Sequence, residues 1–235
     1  MRSVVLFAVS AWFLSAAGPA RAEIVYFEGF GSGTNTSLTS QGWQGWNTAS
    51  AVNISNRTDE PIYVFTGTDW DGRYFIVRGG STPALIATDE AGPIPVEHLR
   101  SVSFMSNHDN TSSAVRVAAE IGGNWYVTVQ TFSMSANGDA YNWQGKAELD
   151  LFTWTNDASA WQALNFTPGT TLGLGGVLAS DLTGEVTRLG LYFTGGPLRV
   201  DDFTVMAVPE PGTCLLAVGA WLLVLCVSRR RFGRR

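Results

Sequence analysis

The residues of this 235-residue chain best suited to chemistry are carboxylates. In the stretch AELDLFTW, Glu148 and Asp150 stand two apart, so on an extended strand they project from one face. Two acids so placed could act as nucleophile and general acid. No further acid follows on this strand, where Phe152 and Thr153 stand, and an acidic strand face is the simpler account. The rest of the catalytic repertoire is sparse. The two histidines, His98 and His108, fall in no H-x-x-x-H or cysteine-rich pattern, which argues against a zinc site or a histidine triad. There is no G-x-S-x-G elbow and no P-loop, and the GLGG beginning at Gly173 lacks the glycine spacing of a dinucleotide fingerprint. The chain therefore reads as a non-enzyme. A polysaccharide hydrolase or lyase using Glu148 and Asp150 is the alternative.

Three other acidic clusters could bind rather than react. Glu28 lies in YFEGF, Asp69 and Asp71 in TDWDGRYF, and Asp201 and Asp202 in RVDDFTV near the end of the soluble region. If the first and last strands are neighbours, these carboxylates converge on one hard cation, and calcium takes roughly six to eight oxygen ligands. A structural Ca2+ held by Glu28, Asp69, Asp71, Asp201 and Asp202 is the expectation. Aromatic rings supply a second binding chemistry. Trp43 and Trp46 in SQGWQGWN, and Trp143 in YNWQG, stand beside Gln and Asn, a combination that stacks on pyranose C–H groups and bonds hydroxyls. These three are the candidate glycan platform, whereas Trp125 and Trp161 are expected in the core.

The elements that position these residues are strands. Short apolar or alternating runs recur between Gly, Asn, Asp and Ser clusters: IVYFE, PIYVFTG, RYFIVRG, ALIATD, RSVSFMS, AVRVAAEI, NWYVTVQTF, KAELDLFTW, WQALNF, VTRLGLYF and LRVDDFTVM. In TRLGLYF, Leu189, Leu191 and Phe193 share one face while Gly190 and Tyr192 take the other. This pattern predicts an all-β antiparallel sandwich of jelly-roll type. The stretch TPGTTLGLGGVLASDLTGE reads as a loop with one weak strand.

Both ends stand apart from that domain. Met1 to Ala22 has an early Arg2, the apolar run VVLFAVSAWFLSAA, then Gly18-Pro19 and an Ala20-Arg21-Ala22 cleavage pattern, as in a secretory signal peptide. Residues 23–207 carry 19 acidic and eight basic side chains, a charge of about −11, which argues against nucleic acid as a partner. Both cysteines, Cys214 and Cys226, lie beyond that region, so no disulfide holds it. From Thr213 to Val227 runs TCLLAVGAWLLVLCV, an apolar helix of about 22 Å at about 1.5 Å per residue, short but usable as a transmembrane span. Five arginines close the chain and would remain cytoplasmic, leaving the acidic domain outside.

Three family resemblances follow from these motifs. FEGF, DWDGRYFIV and LRVDDFTV resemble the strand motifs of MAM-like and related carbohydrate-binding jelly rolls of surface proteins, without the disulfides of true MAM domains. That resemblance implies calcium ligands at Glu28, Asp69 and Asp202, with Asp71 and Asp201 as alternates. AELDLFTW partly resembles the catalytic strand of family 16 glycoside hydrolases, but the third acid that this resemblance implies is missing, because Phe152 and Thr153 occupy the positions where it should stand. The final 28 residues, with Pro209-Glu210-Pro211, the apolar helix and the arginine cluster, are similar to PEP-CTERM sorting domains. This resemblance implies export by the Sec machinery, signal peptidase processing and transient retention in the inner membrane. It also implies recognition of Pro209, Glu210 and Pro211 by an exosortase, and transfer to the cell surface or matrix of a Gram-negative, exopolysaccharide-making bacterium. A structural or adhesive surface protein holding polysaccharide in a biofilm is the expected role; a permanently anchored surface protein is the other reading of the tail.

Overall fold

A computed structural model describes residues 21–30, 42–47, 53–57, 74–78, 83–108, 114–133, 149–195 and 198–208. Among them there are fifteen strands and a single 3-10 turn, Ala158–Ala160. Six strands form one antiparallel sheet. They are β1 (Glu23–Glu28), β3 (Asn53–Arg57), β4 (Tyr74–Arg78), β7 (Leu99–His108), β11 (Asp150–Thr153) and β15 (Leu198–Ala207). Their order is β11-β7-β15-β4-β3, with β1 also paired to β15. The first and last described strands are thus neighbours.

The other nine strands are β2 (Trp43–Asn47), β5 (Ala84–Thr88), β6 (Ile94–Pro95), β8 (Ala114–Ile121), β9 (Asn124–Thr128), β10 (Phe132–Ser133), β12 (Trp161–Thr167), β13 (Thr171–Val177) and β14 (Glu185–Thr194). The main path of this sheet runs β13-β12-β9-β8-β14-β5-β2. Local chemistry fixes its hairpins. Gly122 and Gly123, at φ +57° and +78°, form the two-residue link between β8 and β9, where Ile121 pairs with Asn124. A turn with positive φ at both centres suits the right-handed twist of the strands, and glycine adopts it without steric cost.

Alternation along each strand sorts side chains between two apolar layers. Trp43, Ile86, Val115, Val117, Trp161, Leu189, Leu191 and Phe193 point from the nine-stranded sheet into the main core. There they meet Val102, Phe104, Phe152, Phe203 and Val205 from the six-stranded sheet, which makes the molecule an antiparallel β-sandwich. The expected division of TRLGLYF holds, because Tyr192 falls on the opposite face, in a second cluster with Leu85, Trp125 and Leu164. SQGWQGWN, which is not among the predicted strands, contains β2, and TLGLGGV, within the stretch read as a loop with one weak strand, is β13, because pairing to β5 and β12 overrides the weak β-propensity of glycine. The residues Ile24–Ala207 make one compact unit. Among the described residues no helix is long and apolar enough to cross a membrane, and Pro209 to Arg235 lie outside them.

Candidate functional site

The second apolar cluster lies on the face of the nine-stranded sheet that turns away from the core. Its register runs in rows across the strands. One row joins Trp46 of β2, Leu85 of β5, Tyr192 of β14 and Arg116 of β8. The next joins Gln44, Ala87, Gly190, Ala118, Val127 and Gln162. A third joins Arg188, Glu120, Trp125, Leu164 and Leu174.

Ring distances show that this face is concave. β2 and β12 are five strand steps apart, about 24 Å on a flat sheet at about 4.8 Å per step. Yet the rings of Trp46 and Phe166 meet at 5.5 Å, and Trp46 and Trp125 at 6.3 Å, both edge to face. Trp125 and Phe166 complete the trio at 6.0 Å. Only a sheet curled toward these side chains brings them together. Register shifts at Val186/Arg188 and Gln162/Leu164 increase local bending.

Curling crowds whatever lies inside the bend, and the centre of the middle row is built from small residues. A Cβ on Gly190 would collide with the carbonyl oxygen of Ile86 and stand 2.6 Å from Ala87 Cα. Ala87 and Ala118 flank it. The floor is consequently closed, with Leu85, Ala87, Ala118 and Val127 all buried beneath the larger rings.

The indole N–H groups separate two kinds of tryptophan. In the core, Trp43 donates to the Tyr26 hydroxyl at 2.8 Å, and Trp161 to the Thr155 carbonyl at 2.7 Å; at the rim Trp154 donates to Asn156 Oδ1 at 2.8 Å. On the concave face, Trp46 and Trp125 find no hydrogen-bond acceptor among the described residues. Neither nitrogen is sealed from solvent as an orphaned polar atom. A buried indole N–H ordinarily finds a partner, so two donors left open on one aromatic face are available to a ligand.

Polar groups border the rings. Arg116 Nη1 donates to the carbonyls of Thr128 and Val129 at 2.5 and 2.6 Å. Partial burial draws its guanidinium below the ordinary arginine value, with Tyr192 acting in the opposite sense, and the group remains a cation. Arg188 Nε lies 3.6 Å from Glu120 Oε2, which also accepts from Thr187 Oγ1 at 3.2 Å. Gln44 and Gln162 are half-exposed in the middle row.

Among the tryptophans proposed from sequence, Trp43 requires correction. It is completely buried, packed edge to face on Phe30 and Phe203, because the three-residue step to Trp46 turns the two side chains to opposite faces of β2. It cannot stack on a sugar. Trp46 lies on the concave face, and Trp143 lies outside the described residues. Trp161 is in the core, but Trp125 belongs to the concave cluster. Sequence reasoning missed Phe166 and Tyr192 as members of that cluster. The signal was present in β12, where Leu164 and Phe166 share a parity opposite to Trp161, so both faces of the strand are apolar.

The predicted carboxylates fall elsewhere. Glu28 at the end of β1 is half-buried, and its Oε1 accepts from the Phe30 backbone N–H at 2.8 Å. Burial raises its proton affinity, opposed by that hydrogen bond. Asp201 is buried and its Oδ1 accepts from the Asp202 N–H at 2.8 Å. Asp202 Oδ1 lies 3.8 Å from where a Gly29 Cβ would stand, so the end of β1 and the bulge of β15 adjoin. Phe30 and Asp202 both adopt left-handed backbone, at φ +49° and +50°. Asp69 and Asp71 lie outside the described residues, and among the described residues no three metal-ligating side chains gather. Asp150 is not part of an exposed acidic face. It shares the parity of buried Phe152 and accepts from Ser106 Oγ at 3.0 Å, while Leu149 and Leu151 take the open side; Glu148 lies outside the described residues.

No family model matches the chain, and no curated protein matches it. Solved structures of similar shape do occur. A family 11 carbohydrate-binding module of the cellulase Lic26A-Cel5E of Clostridium thermocellum is 11% identical, over 82% of this chain and 98% of that one, at a TM-score of 0.42. The family 22 module joined to the catalytic module of xylanase 10B from the same organism is 13% identical at a TM-score of 0.41. That match spans 80% of this chain and 29% of the longer one. The C-terminal family 22 module of that xylanase is 11% identical over 78% of this chain and 96% of that one, at a TM-score of 0.36.

Proposed function

We propose that this chain is an exported, non-catalytic β-sandwich protein that holds extracellular polysaccharide on the concave face of its nine-stranded sheet. The observation that carries this reading is the pair of open indole donors of Trp46 and Trp125, set in an aromatic trio with Phe166. Sugar rings offer C–H faces that pack on aromatic rings and hydroxyls that accept from indole N–H groups. Gln44 and Gln162 supply amides beside them. A panel of polysaccharides in affinity electrophoresis, run with the full chain in detergent, tests this directly. At least one polymer should retard the wild type but not Trp46→Ala; equal retardation of both proteins by every polymer would remove the concave face from the account.

Delivery follows from the ends of the chain. Met1 to Ala22 serves as the signal for Sec export and is removed by signal peptidase. The tail stops in the inner membrane, an exosortase acts at Pro209, Glu210 and Pro211, and the domain reaches the surface or matrix of a Gram-negative cell. The two prolines favour an extended segment with few backbone donors, a form that a protease cleft can grip. Mass spectrometry of the surface form should show a C-terminus near Glu210; an intact Arg235 there contradicts sorting.

A structural calcium ion at the β1–β15 junction is the third part of the reading, with Glu28 and Asp202 as ligands joined by Asp69, Asp71 and Asp201. A cation would stabilise the ionised form of Glu28 that burial disfavours. Addition of EDTA should lower the melting temperature, and an unchanged value at all calcium levels contradicts it.

A further inference from the structure

The concave face carries two arginines, and they differ. Arg188 is neutralised by Glu120 on its own row. Arg116, at the other side of the face on the row of Trp46 and Tyr192, meets carbonyl oxygens and no carboxylate among the described residues. Its geometry is more informative than its charge. Nη1 has two protons, and the Thr128 and Val129 carbonyls account for both. Those bonds fix the guanidinium plane and leave Nε and Nη2, whose N–H bonds lie parallel along one edge, without an acceptor in the described protein. Such an edge matches the two oxygens of a carboxylate, which neutral hydroxyls match only singly. The side chain is half-exposed, so the edge is not enclosed in the fold.

The remainder of the domain makes this arginine conspicuous. With about −11 of charge over residues 23–207, the protein as a whole repels polyanions. A cation held in place by carbonyls, beside an aromatic face, therefore needs a local explanation. Carbonyl oxygens orient a guanidinium without cancelling its charge, as the Arg188–Glu120 pair does on the third row.

Resting on the reading of this face as a glycan site, we infer that its ligand is an acidic polysaccharide. The carboxylate of a uronic acid residue seats on the Nε–Nη2 edge of Arg116 while neighbouring sugars cross Trp46 and Phe166. The ligand class is thereby narrowed from polysaccharide in general to uronate-containing chains.

The experiment titrates the full chain in detergent with polygalacturonate, with the same polymer methyl-esterified, with a neutral β-glucan and with dextran sulfate. Polygalacturonate should bind about ten-fold or more tightly than its ester, the scale of a charge-assisted pair of hydrogen bonds. Arg116→Gln should erase that preference, and Arg116→Lys should keep only part of it, since an ammonium retains charge without the parallel edge. Because Arg116→Gln also loses bonds to Thr128 and Val129, circular dichroism must show that it is folded; Arg116→Lys carries the test if it is not. Equal binding of acid and ester, a preference that survives both variants, or dextran sulfate binding as tightly as polygalacturonate would each overturn the inference. Binding of the neutral glucan alone overturns it while leaving the face a glycan site. Binding of no polymer overturns both.

Discussion

Trp43 and Trp46 stand three residues apart on one strand of five, and the sheet gives them opposite lives. Trp43 enters the space between the sheets, is completely buried, packs edge to face on Phe30 and Phe203 and spends its indole donor on Tyr26. Trp46 turns to the concave side, stays half-exposed, touches two other rings and leaves its donor open. The same division extends to the whole sheet. Inside, packing is closed by hydrogen bonds as well as by contact; on the concave side, packing is equally aromatic, but the indole donors of Trp46 and Trp125 find no acceptor among the described residues. A core residue must satisfy its polar atoms within the fold, because water is absent there. A binding face can leave them for the ligand.

Breaking the comparison at its stiffest point should have the largest effect. Trp43→Ala removes a fully buried ring and the hydrogen bond it donates to Tyr26, so chemical denaturation should show a loss of about 3–5 kcal/mol. Trp46→Ala should cost on the order of 1 kcal/mol, roughly the value of its edge-to-face contacts, while abolishing polysaccharide retardation. Equal losses of stability in the two variants would erase the distinction between the faces.

Gly190→Ala probes the curl that makes the second face concave. Its added methyl meets backbone of β5, which cannot yield as a side chain could. The expected loss is about 1–3 kcal/mol, the usual cost of overpacking, together with weaker ligand binding as the strands separate. A variant as stable as wild type would show that the tight middle row is not needed for the bend.

A further effect concerns pH and is confined to strongly alkaline solution. Burial, moderated by hydrogen bonds to Thr88 and Trp43, holds the Tyr26 phenol at about 12, above its ordinary value of 10.0. The folded state therefore keeps a proton that the unfolded chain releases. That contribution is fully present below pH 10 and is lost as pH rises toward 12. Melting temperatures taken across this range should fall in the wild type more steeply than in Tyr26→Phe; parallel curves would mean that Tyr26 does not couple proton release to folding.

Most of the strands were legible because their alternation is strong, as in VTRLGLYF, where the parity of Leu189, Leu191 and Phe193 assigns the core face correctly. β2 and β13 were obscured by Gly45 and by Gly173, Gly175 and Gly176, whose strand conformation comes from neighbours rather than from their own preference. The site was less legible for a related reason. WQGW advertises a tryptophan pair, but strand parity allows only one of them on the open face, and Gly45 hides the strand in which that rule applies. Trp125, Tyr192 and Phe166 look like ordinary core residues since an aromatic-lined concave face and a core are equally apolar in sequence. What distinguishes them is curvature, which is set by register shifts and by close approach of strands far apart in the chain. The partnering of Arg116 by carbonyls likewise depends on β8 and β9 folding back on each other, and no spacing within AVRVAAEI announces it.

Trp46 and Trp125, and not the core tryptophans, should meet the ligand. Each of the nine tryptophans contributes one indole N–H resonance, so a heteronuclear NMR titration of the full chain with polygalacturonate oligomers reads them separately. Trp46 and Trp125, whose donors have no acceptor among the described residues, should shift strongly, and Trp43 and Trp161, whose donors are held by Tyr26 and Thr155, should not shift. Unmoved Trp46 and Trp125 signals in a titration that shows binding would contradict this.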